Sequence, residues 1–213
     1  MSGTRSAPPS APLASASPGA GLAKLRAAPL ATVRESGELS AAALALIAGC
    51  ADAPAALEAL EADGMATDAV KLVAHALPRR EGVWWACMCA RATMPADLPP
   101  ADRAALDAAE AWVRKPSDEN RRAAFAAAEQ ARFGTPEAWA AVAAFWSGDS
   151  MAPAGQPAVP PAPHLAGLAL AGAVTLASVR ADPSRQAARL ARFLASGRDI
   201  ASGGPGRMEA EEP

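Results

Sequence analysis

The stretch His-Ala-Leu-Pro-Arg-Arg-Glu-Gly-Val-Trp-Trp-Ala-Cys-Met-Cys-Ala-Arg, residues 75–91, decides the fold. Pro78 suits the first turn of a helix, where its missing N–H costs nothing, and residues 82–90 then carry no charge on any face. A helix that is apolar all round has to be covered on every side. The segment holds two of the five tryptophans and two of the three cysteines, so the other helices are read as its wrapping. The expected fold class is all-α: a compact array of short antiparallel helix pairs around a buried central helix, with a Pro-rich strap and a C-terminal helix pair.

Composition agrees with that reading. Alanine fills 61 of the 213 positions, so the 51% hydrophobic content overstates the large side chains available for a core. Alanine is the best helix former, and it lets helices pack closely. Tyrosine is missing, and no run of alternating β-branched or aromatic residues predicts a strand. With 20 basic against 22 acidic side chains the net charge is −2, which excludes the basic footprint of a nucleic-acid binder. Cys87 and Cys89 lie two residues apart on one helix and point to different sides, which suits neither a mutual disulfide nor a shared metal. Together with Cys50 they are read as reduced thiols of a cytoplasmic protein. The first thirty residues lack the apolar run of a secretory signal.

Outward from residues 75–91 the chain divides in five. Residues 1–35, rich in proline, alanine and serine, are expected to form a disordered arm whose last part docks through Leu22, Leu25, Leu30 and Val33. Residues 36–147 form the main helical domain. Its helices are expected from Glu38 to Gly49, from Pro54 to the Asp63-Gly64 turn, and from a Thr67 cap to Leu77, the last forming a tight hairpin with the hub helix. A helix from Asp102 to Lys115 follows. Ser117 caps the next, which buries Phe125 and Phe133 and stops at Gly134, and Thr135-Pro136-Glu137 starts another. Residues 148–163 read as an extended Pro-rich linker. Residues 164–197 read as a helix pair packing on the main domain, with Gly197 as its end, and residues 198–213 as a disordered tail. The uncharged run 165–179 reaches roughly 22 Å as a helix, short of the ~30 Å hydrocarbon core of a bilayer, so no membrane span is expected.

Each candidate site has a plainer structural reading beside it. His75 is conceivable as a base near Cys87, yet a histidine closing a helix is favoured there by the helix dipole alone. Arg79 and Arg80 stand in the first turn of the hub helix, where the dipole disfavours cations, so a carboxylate is expected to compensate them. Glu81 is free to reach Arg91 or a neighbouring helix. Trp84 and Trp85 face about 100° apart, so one can be core while the other reaches the surface. The candidate structural or partner-binding residues are therefore His75, Arg79, Arg80, Glu81, Trp84, Trp85 and Trp146. No catalytic group, metal set or cofactor site can be assembled from the sequence.

Three stretches carry a resemblance. His-Ala-Leu-Pro-Arg-Arg-Glu-Gly-Val-Trp-Trp-Ala-Cys (75–87), Ala-Glu-Ala-Trp-Val-Arg-Lys-Pro-Ser-Asp-Glu-Asn-Arg-Arg (109–122) and Ala-Ala-Phe-Trp-Ser-Gly-Asp-Ser-Met-Ala-Pro (143–153) are similar to an uncharacterised bacterial family of small helical proteins encoded near type VI secretion genes. The resemblance covers residues 38–203 and implies an accessory protein, adaptor or chaperone-like, with a secretion component or effector as partner. Gly82 departs from the alanine the resemblance implies, which would loosen the helix by ~1 kcal/mol. Residues 105–131 also resemble helical immunity proteins, so an inhibitor of a toxin is the alternative, ahead of an enzyme of unknown reaction.

Overall fold

The computed structural model describes residues 21–153 and 155–211. Among them are ten α-helices, three short 3-10 turns and no strand. A 3-10 turn at Ala23–Ala27 leads into α1 (Leu30–Ser36) and α2 (Ala41–Leu46), then a second turn at Ile47–Gly49. After it come α3 (Ala53–Ala62), α4 (Ala66–Ala76), α5 (Arg79–Ala92), α6 (Pro100–Arg114) and α7 (Asp118–Gln130). The series ends with α8 (Pro136–Trp146), α9 (Leu165–Val179) and, after the turn Pro183–Arg185, α10 (Gln186–Ala201).

Side-chain caps fix several helix starts. Ser117 accepts the Asn120 N–H at 3.2 Å and Thr135 accepts that of Ala138 at 3.3 Å, where the sequence places them. Ser40 and Asp52 do the same for α2 and α3. Thr67 is not a cap. Gly64, at φ 74°, reverses the chain early enough for the Met65 N–H to reach the Leu60 carbonyl, so α4 starts at Ala66 with Thr67 inside its first turn. The end of α7 also differs from expectation. The helix stops at Gln130 and Arg132 and Phe133 take positive φ, which leaves Phe133 exposed against the edges of Phe125 and the bundle.

The hub helix α5 is buried along most of its length, but it shares the centre with α9. α9 packs on α4, α5, α8 and α10, and it runs antiparallel to α8, since Arg180 just past its end meets Glu137 in the first turn of α8. No described helix is long and apolar enough to cross a membrane, and α9 is bent by 115° from the segment that follows it. Glycines permit these approaches. A Cβ on Gly82 would lie 2.5 Å from Leu170 Cδ1 of α9, and one on Gly197 3.1–3.3 Å from Val73 and the Trp85 ring. Gly197 therefore does not end α10, which continues to Ala201 with the glycine facing the hub.

Four expectations are corrected by the chain path. α4 and α5 do not form a hairpin: Leu77 and Pro78 are both extended, so the two helices diverge and each packs on α9 and α10 instead. Of the arm expected in 1–35, residues 1–20 lie outside the described residues, while Leu22, Leu25, Leu30 and Val33 join the core. The tail expected to be loose is held as far as Glu211, because its backbone groups find partners on α5 and α10; residues 212–213 lie outside the described ones. The 148–163 segment is not a straight spacer either. Ser150 Oγ accepts the N–H groups of Ala152 and Val159, and Met151 N–H donates to the Val159 carbonyl, so this loop folds back on itself.

Candidate functional site

Trp85 and Trp84 show how one helix serves two purposes. Trp85 is fully buried, and its indole N–H donates to the Phe193 carbonyl at 2.8 Å, joining α5 to α10. Trp84, one residue earlier, is half-buried on the outer face of α5. With Arg80 and Glu81 it lines an open hollow of about 330 Å³, completed by Lys24, Val113, Arg114 and Gly204.

The hollow's electrostatics follow from its partners. Arg80 Nε donates to the Val113 carbonyl at 2.6 Å, near the C-terminus of α6, where the helix dipole favours a cation. Arg79 donates to the Pro163 carbonyl at 3.4 Å. Both arginines are thus compensated by backbone carbonyls, in place of the carboxylate expected. Glu81 pairs with Lys24 at 3.0 Å, which pins the first 3-10 turn onto α5, while Arg91 is held by Glu110 and Asp107. Three cations, Lys24, Arg80 and Arg114, therefore face one carboxylate around an indole wall. Such a surface can hold an acidic side chain by charge or a cation or planar group by stacking.

His75 and Arg79 lie in a second hollow of about 320 Å³ with Thr32, Leu77, Pro163 and Gly167. A side chain on Gly167 would collide with the His75 ring, so its absence lets α9 close on α4. Burial, and then the charge of His164, push the His75 pKa down, opposed by Glu38. His75 Nε2 is buried without a hydrogen-bond partner among the described residues. Cys87 does not line this hollow, and burial raises the Cys87 and Cys89 pKa values far enough to keep both thiols protonated. Among the described residues no group of three or more His, Cys, Asp or Glu side chains is placed to hold a metal ion. Trp146 stands apart from both hollows, at the end of α8, edge-on to Trp139 with ring centres 6.3 Å apart.

Sequence reasoning missed two features. Glu137 is completely buried, and Arg180 bonds to it while also donating to the Ala90 and Thr93 carbonyls at the end of α5. The acid in the first turn of α8 was legible; its burial was not. The other is a cleft of about 420 Å³ where stretches 109–122 and 143–153 meet. There Arg121 pairs with Asp118, lies 5.1 Å from the Phe145 ring centre and occupies the space a side chain on Gly148 would need.

Fold and site together define an all-α protein that gathers Lys24, Arg80 and Arg114 around the half-buried Trp84 indole. Residues 56–201 match the profile of a family of unknown function, DUF6931, and the chain belongs to that family. The match opens within α3 and closes at the end of α10, so it takes in His75, Arg79, Arg80, Glu81, Trp84, Trp85 and Trp146 and leaves residues 202–211 beyond it. No curated protein and no solved structure matches the chain.

Proposed function

We propose that the protein is a non-enzymatic, protein-binding accessory factor, adaptor-like or chaperone-like, that serves bacterial type VI secretion in the cytoplasm. The observation that supports partner binding is the hub hollow: Lys24, Arg80 and Arg114 gather beside Trp84 where the other helices leave α5 open. Tryptophan and arginine are the residue types that most often carry binding energy at protein interfaces. The link to secretion rests on the resemblance of stretches 75–87, 109–122 and 143–153.

Affinity capture from a native lysate tests this with the full chain and its Arg80→Glu variant, an exposed change that leaves the core intact. Sheath, spike or effector proteins should be captured by the wild type and lost by at least tenfold with the variant, about 1.4 kcal/mol. Equal capture by both proteins would reject the hollow as the binding site. A single toxin, neutralised on capture, would move the reading to an immunity-type inhibitor.

A further inference from the structure

Residues beyond the family match retrace α10 from its C-terminal end to its start. Gly206 meets Ser196 and Asp199, Glu209 meets Arg192, and Glu211 reaches Arg185, Arg189 and Arg192. The path is held mostly through main-chain groups. Trp84 donates to the Pro205 carbonyl at 2.7 Å, Ser196 to that of Gly206 at 2.6 Å, and Arg192 to that of Glu209; the Gly206 N–H donates to Asp199 at 2.7 Å and the Glu211 N–H to the Ala92 carbonyl at 2.8 Å. Such contacts read an extended chain without reading its sequence.

Two positions do impose a sequence. Gly206 is buried at φ 65°, where a side chain would collide with Ile200. Glu211, five residues on, places its carboxylate against the Arg189 fork at 2.8–3.1 Å, with Arg185 and Arg192 each at 3.3 Å. Part of the fork is held independently of its occupant: Arg189 Nη1 donates to the Ser178 and Arg180 carbonyls at 3.1 and 2.6 Å, both within the family domain, and with Glu211 in place the side chain is buried. A buried arginine aimed outward in this way presents a bidentate carboxylate receptor.

We infer that the track from Trp84 to Arg185 is a binding site for an extended acidic segment of a partner protein, with a glycine five residues ahead of a glutamate, and that residues 204–211 occupy it in cis. This deepens the protein-binding reading and rests on it: the tail borders the hub hollow at Gly204 and covers the Trp84 N–H, so a partner segment must displace it.

The test uses the full chain carrying Glu211→Lys, which turns the tail's anchor against three cations. The probe is a fluorescent, end-blocked peptide with the sequence of residues 204–213. Hydrogen exchange should show residues 204–211 released in the variant. Fluorescence anisotropy should show the peptide binding the variant at least tenfold more tightly than the wild type. Adding Arg185→Glu, at an exposed position, and Arg192→Glu, at a half-buried one, should remove that binding, as should glutamine in the peptide at the position of Glu211. A released tail with no peptide binding overturns the inference, as does a glutamine peptide that binds equally or a tail that stays protected in the variant. These outcomes are separate from lysate capture: an Arg80-dependent partner with no peptide binding sinks the acidic-segment site alone.

Discussion

At Trp84 and Trp85 neighbouring residues of the same type carry different energies. Trp85→Ala should cost ~3–5 kcal/mol in urea denaturation, because it opens a cavity between α5 and α10 and strips the Phe193 carbonyl of its donor. Trp84→Ala should cost less than half as much and show itself instead as faster hydrogen exchange in residues 204–211; equal losses at both sites would refute this division. The split was legible from the 100° step of a helix. Which tryptophan faces inward was not, since that depends on where α10 lies. His75 gives a pH dependence. Its folded-state pKa is depressed by burial and by His164, so the neutral ring favours the fold, and that contribution is lost as pH falls from the ordinary histidine value through the folded one. Stability measured in steps from pH 8 to pH 5 should therefore decline in acid, with Glu38 moderating the effect, and His75→Gln should flatten that decline. A slope unchanged by His75→Gln would refute this assignment.

Helices meet here through small residues, and the glycines mark where. Gly82→Ala gains ~1 kcal/mol of helix propensity but pushes a methyl into Leu170, an overpacking of ~1–3 kcal/mol, so the expected sum is a small loss. Gly82→Ala with Leu170→Val should recover more than the separate changes predict, and additive losses would show that the two helices do not meet there. At this contact a glycine on α5 makes room for the long Leu170 side chain of α9. Arg180 acts across three elements, holding the end of α5 and the buried Glu137 of α8 from the end of α9. Arg180→Ala should cost ~3–5 kcal/mol by leaving a buried carboxylate unpaired, whereas Arg180→Met with Glu137→Gln should recover most of it in thermal unfolding. The helix starts at Ser117 and Thr135 could be read because caps are local. The divergence of α4 from α5 could not: two extended residues at Leu77 and Pro78 decide it, and a hairpin or an open corner would show the same apolar pattern.

For the whole molecule, the all-α class and the buried hub follow from pattern and composition, but the extent of order does not. Residues 21–35 and 202–211 look too polar or too small to fold by themselves. They are ordered because Leu25 and Val33 enter the core and because tail main-chain groups find partners on α5 and α10, long-range pairings that no composition reveals. The candidate hollow was half legible: Arg80, Glu81 and Trp84 share a face of one helix, while Lys24 and Gly204 arrive from the two ends of the described chain. A chain ended at Pro153 loses α9 and α10 together, and with them the walls of α4, α5 and α8. It should bind a hydrophobic dye and unfold without a cooperative transition; a sharp melt near that of the full chain would contradict the shared core. The central place of α9 also has a temporal side. Its code comes after residue 164, so a chain leaving the ribosome presents the apolar faces of α4, α5 and α8 before the helix that joins them exists. At ~5–20 residues per second that interval lasts seconds, long against the microseconds in which such helices form. Nascent chains should therefore expose these faces during the span between Trp146 and Val179, and slow codons there should lengthen the exposure.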